Sequence, residues 1–72
     1  MVAIADFVGH NIMTGIFVVA TYNTRHDYWY LARGTETFYD ERRFLRTWET
    51  KQEAIDWLKN NHPEFTLVET DD

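Results

Sequence analysis

Thr50-Lys51-Gln52-Glu53 leads directly into Ala54-Ile55-Asp56-Trp57-Leu58. A threonine followed three residues later by glutamate, just ahead of an apolar run, is the pattern of a capping box at a helix start. The Thr50 hydroxyl accepts a hydrogen bond from the Glu53 backbone N–H, and the Glu53 carboxylate reaches back to the Thr50 N–H. Two donors that a helix start leaves unpaired thereby find partners. The pattern predicts a helix over 51–61, with Ala54, Ile55 and Leu58 as its inner stripe and Trp57 at the border. Asn60 and Asn61 suit a left-handed C-terminal cap, Pro63 forbids continuation, and Lys59 complements the dipole of the last turn.

The rest of the chain reads as strands placed around that helix. Residues 1–8 put Val2, Ile4 and Val8 on one face of a first strand, with Asp6 on the same face. Residues 9–15 hold Gly9, Asn11 and Gly15 and read as a turn. Residues 16–22 are apolar on both faces, which predicts a central strand covered on both sides. Residues 23–27 are polar turn formers, and 28–33 form a second strand, so the pair reads as an antiparallel hairpin ended by Gly34. Residues 35–39 fit a strand, 40–43 a turn or one helical turn, and 44–48 an extended segment with Phe44 and Trp48 on one side. After the helix, 65–69 alternate as a short final strand. The expected fold is α+β: an antiparallel sheet of three to five strands, one helix from the C-terminal half packed on one face, and a short last strand, all in a single domain over 1–72.

Size and charge narrow the function classes. A 72-residue chain has little surplus stability, so most of its 12 aromatic side chains are needed in a core or an interface. There is no cysteine, which removes disulfides and thiolate metal sites and fits a reducing cytoplasm. Asp6 and His10 interrupt the apolar opening, so neither a signal peptide nor a membrane span is expected. A net charge of −5 argues against a phosphate-driven nucleic-acid binder.

Catalytic constellations are missing from the sequence. His10, His26 and His62 have no paired spacing and lie beside turn residues, so they read as exposed loop histidines, with no metal or cofactor site expected. There is no cysteine or serine nucleophile and no glycine-rich phosphate loop. The expectation is a non-enzyme. Arg42, Arg43 and Arg46 lie beside Asp40, Glu41 and Glu49 and read as ion-paired on a solvated face.

The strand over 28–33 carries the functional expectation. Tyr28 and Tyr30 share one face, and Trp29 and Leu31 the other. One pair belongs under the helix; the other is either covered by the N-terminal segment or exposed and able to face a partner. Tyr28, Tyr30 and Arg33, with Arg25 in the adjoining loop, form the candidate protein-binding set, since tyrosine and arginine are the usual anchors of interfaces. Two other readings stand beside it. Apolar surface on 16–22 and 1–8 fits a structural homodimer. Aromatics flanked by arginines fit single-stranded nucleic acid, although the charge disfavours that reading.

Residues 15–69 resemble a loose class of short phage- and prophage-encoded proteins of unknown function. The likeness rests on Trp29-Tyr30-Leu31, on Asp40-Glu41, and on the stretch from Trp48 through Thr50-Lys51-Gln52-Glu53-Ala54 to Trp57-Leu58; residues 1–14 depart from the shorter start of that class. The resemblance implies a small cytoplasmic accessory protein that covers a functional surface of a host protein, and it brings no catalytic residues.

Overall fold

The structure is a computed structural model and describes residues 4–68. Residues 1–3 of the first expected strand, the last residue of the final strand and the acidic end lie outside the described residues. The elements run β1 (Ile4–His10), β2 (Phe17–Asn23), β3 (Tyr28–Arg33), β4 (Glu36–Thr37), α1 (Lys51–Asn61) and β5 (Thr66–Leu67). The strands form one antiparallel sheet in the order β4-β3-β2-β1-β5, with α1 on one face. The α+β architecture expected from the sequence is therefore what the chain adopts, as a slab of 34 × 33 × 21 Å.

The helix forms where the capping box places it. Thr50 is extended and its hydroxyl accepts from the Glu53 N–H at 3.2 Å. The return bond differs from the expected one: the Thr50 hydroxyl itself lies 3.1 Å from the Glu53 carboxylate, so the carboxylate meets the hydroxyl and not the Thr50 backbone. The C-terminus also departs from expectation. Asn61 stays helical and its side-chain amide donates to the Trp57 carbonyl at 2.9 Å. His62 ends the helix at φ −134°, not in the left-handed region, and its N–H donates to the Leu58 carbonyl. A residue before proline is driven to extended backbone, and Pro63 does this to His62.

Gly9 and the turn after it explain how β1 is shaped. The strand runs on through Gly9 to His10, beyond the expected turn start. A Cβ on Gly9 would sit 2.8 Å from the Thr66 carbonyl oxygen, so only glycine lets β5 pair there. A bulge lies between Phe7, opposite Val19, and Gly9, opposite Val18. Val8 keeps the sense of Ile4 and Asp6 and is buried under the helix; the bulge reverses the alternation beyond it, so His10 lies opposite Phe17 on the other side.

The core lies between sheet and helix. Val8, Val18, Ala20, Leu31, Phe38, Ala54, Leu58 and Phe65 are buried, with Trp29, Trp48, Ile55, Trp57 and Leu67 packed against them. Phe38 and Trp48 approach Trp57 edge-on or tilted, each at 5.4 Å between ring centres. Asp6, apolar by position, is satisfied by Lys51 from the first turn of α1 at 3.0 Å. The 35–43 segment resolves into β4 and a tight loop in which Arg43 takes φ +67° and Asp40 accepts from the Arg42 and Phe44 N–H groups.

One expectation is corrected by the layer structure. β2 is central in strand order, but α1 covers only one of its faces. On that side Val18 and Ala20 have no exposure; on the other, Phe17 is 59% exposed.

Candidate protein-binding face

Opposed residues in an antiparallel pair point to the same side of the sheet. Phe17, Val19, Thr21 and Asn23 of β2 therefore share the uncovered face with Tyr28, Tyr30 and Ala32 of β3. β1 adds Ala5, Phe7 and His10, and β4 adds Thr37. Among the described residues, these strand positions carry no Asp, Glu, Lys or Arg.

Two aromatic groups stand on this face. At the end near the 11–16 turn, Phe7 meets Phe17 edge-on at 5.4 Å, with His10 at 6.3 and 6.4 Å from them. At the other end Tyr28 meets Tyr30 at 6.2 Å and stacks against His26 at 6.3 Å with ring planes 9° apart. Asn23 donates to the Tyr28 hydroxyl at 3.1 Å, and its carbonyl oxygen atom Oδ1 accepts from the Arg25 and His26 N–H groups. Those bonds order the 24–27 turn, where Asp27 takes φ +56°.

The 11–16 turn extends the apolar character outward. Asn11 Oδ1 accepts from the Met13 and Thr14 N–H groups, and its backbone closes the loop through Gly15 and Ile16. Gly15 at φ +73° completes the reversal. The loop is thus built from its own hydrogen bonds, and it holds Ile12 72% and Met13 92% exposed.

The structure separates the four expected contact residues. Tyr28 and Tyr30 lie half-buried on the open face, and Arg25 stands exposed in the turn beside them. Arg33 goes to the other side. It lies opposite buried Val18, its guanidinium is 4.6 Å from the centre of the Phe38 ring, and its Nε is 3.9 Å from Glu36. Parity along β3 dictates this, because residues 30 and 33 have opposite sense.

Phe7 and Phe17 fall in the 1–8 and 16–22 segments of the homodimer reading but outside the protein-binding set, and His10 with the Ile12–Met13 tip belongs to neither. The signal for them is in the sequence: residues 7–24 contain no Asp, Glu, Lys or Arg. A hairpin without charge is wholly buried or is a contact surface.

The remaining polar groups serve the fold. His62 is not an exposed loop residue. It packs among Phe38, Trp57 and Phe65 at 5.0, 5.2 and 6.2 Å, with Nδ1 3.0 Å from Glu64. That bond is the main reason the Glu64 carboxyl lies below its ordinary range. Tyr22 donates to Asp27 at 2.6 Å, which raises the Tyr22 phenol above its ordinary value. Arg46, expected to be ion-paired, instead stacks 4.9 Å from the Trp57 ring centre and donates to the Tyr39 carbonyl, with no ion pair among the described residues. Among the described residues no three His, Asp or Glu side chains converge as metal ligands, and no helix is long and apolar enough to cross a membrane.

Comparison with known proteins gives no match, whether to a family model, to a curated protein or to a solved structure.

Proposed function

We propose that this chain is a small protein-binding domain whose contact surface is the open face of the sheet. The observation that carries the reading is the pairing of Phe17 at 59% exposure with Val18 at none on consecutive positions of the central strand. A sheet with apolar side chains on both faces and a helix on one leaves a face that water solvates poorly. Such a face is at home against another protein. Single strands of nucleic acid fit less well, because stacked bases bring phosphates that need cations, and among the described residues the strand positions of this face carry no Lys or Arg.

In-cell photo-crosslinking tests the reading. A photoreactive residue replacing Thr21, in the middle of the open face, is compared with one replacing Gln52 on the outer side of the helix. The expected result is discrete protein adducts, of this chain or of another, from position 21 and none from position 52. No adducts from 21, or equal adducts from both, would contradict the proposal.

A further inference from the structure

We infer that the partner for the open face is a second copy of this chain, packed face to face about a two-fold axis. The inference rests on the reading of the open face as a contact surface and names its occupant.

The relief of the face carries the argument. One row across the strands reads Phe7, Val19, Ala32, Thr37. The next row reads Ala5, Thr21, Tyr30. The large ring stands at the β1 end of the first row and at the β3 end of the second. In these two rows the rings therefore occupy one diagonal, and Ala5, Ala32 and Thr37 occupy the other. A two-fold axis lying in the plane of the face, along or across the strands, carries each diagonal onto the opposite one. Phe7 and Tyr30 of one copy then sit over Ala5 and Ala32 of the other, while Phe17 stays on the central strand near the axis or at its end; this is the self-complementarity that an isologous interface requires. Sheets packed face to face with strands nearly aligned, about 10 Å apart, are an ordinary architecture.

Charge and area agree with this occupant. The chain carries −5 overall, yet the strand positions of this face are uncharged among the described residues. Two copies meeting here bring no like charges together, whereas a charged partner surface finds nothing to pair with. Three full strands about 4.8 Å apart and about 20 Å long, with the short edge strands, span about 350 Å² in plan. With side-chain relief that is on the order of 600 Å² per copy, or about 1,200 Å² for the pair, the lower end of standard interfaces. A dimer of micromolar strength is the expectation.

Sedimentation of the purified chain from about 1 to 300 μM tests this. The wild type is expected to pass from monomer to dimer. Phe17→Glu, at an exposed position of the face, should raise the dissociation constant about 30-fold or more. Phe44→Glu, exposed but off the face, should change it about twofold or less. Ala5→Phe and Ala32→Phe add apolar surface but fill the small-residue diagonal, so each should weaken the dimer about tenfold. Ala5 is itself exposed, and far-UV circular dichroism checks that every variant is folded. A monomer at all concentrations, a dimer indifferent to Phe17→Glu, or a dimer strengthened by Ala5→Phe would overturn the inference. A monomer that still gives crosslinks from position 21 would retire the second copy alone; a monomer with no such crosslinks would retire the face as well.

Discussion

Lys51 Nζ lies 3.0 Å from Asp6 Oδ2, joining the first residue of α1 to the middle of β1 across 45 residues of chain. Asp6 stands opposite Ala20, which is fully buried, so its side chain projects on the helix side at the margin of the core. Lys51 satisfies the carboxylate with its ammonium. The pair is partly exposed, and such pairs contribute modestly. A double-mutant cycle with Asp6→Asn and Lys51→Gln, read by urea unfolding, should give a coupling of about 0.5 kcal/mol that shrinks in 1 M salt. A coupling of zero at low salt would mean that the two side chains do not meet.

Thr50→Ala removes the acceptor for the Glu53 N–H and the hydroxyl that meets the Glu53 carboxylate. It should cost about 1 kcal/mol and lower the melting temperature by about 4–8 °C. An unchanged melting temperature would show that the helix start is held by something other than this cap.

How much of this was legible in the sequence depends on whether the signal was local. The cap, the helical stripe and the β2–β3 hairpin are local patterns, and the chain adopts them. In the sequence Gly9 reads as a turn residue, because a glycine reports freedom, not purpose; its role is to let the Thr66 carbonyl approach, a contact 57 residues away. The bulge beside it inverts the alternation of β1, so no period-two count could put His10 on the open face. Arg33 is near Tyr30 in sequence, but strand parity puts the two on opposite faces. The continuous apolar run of β2 is a sound sign of two apolar faces. Such a run does not say what covers each face; among the described residues α1, the one helix the sequence also predicts, covers one of them.

Gly9→Ala tests the long-range contact. Its Cβ would press on backbone, which yields poorly, so β5 must move away. The expected loss is about 1–3 kcal/mol, and amide exchange should show the Val68 N–H, bonded to the Val8 carbonyl at 2.9 Å, losing protection ahead of the rest of the sheet. Retained protection at Val68 would show that the strand tolerates the methyl group.

Acid should find the Glu64–His62 contact. The bond from His62 holds the Glu64 carboxyl below its ordinary value of 4.5. A carboxyl lowered on folding stabilises the folded state above its unfolded value, and that contribution fades as pH falls through the folded value. The melting temperature of Glu64→Gln should therefore lie below wild type at about pH 5 and above, with the gap closing as the solution is acidified. A gap that stays constant down to about pH 2 would separate Glu64 from any titrating contact.

The most direct test follows neighbouring methyl groups on one strand by NMR during dilution from about 1 mM to 20 μM. Val19 stands in the middle of the open face, and Val18 beneath the helix has no exposure. The Val19 methyl signals, with those of Ala5 and Ala32, should shift with concentration while Val18, Ala20 and Ala54 stay fixed. Open-face methyls that hold still throughout, or helix-side methyls that move with them, would contradict the account.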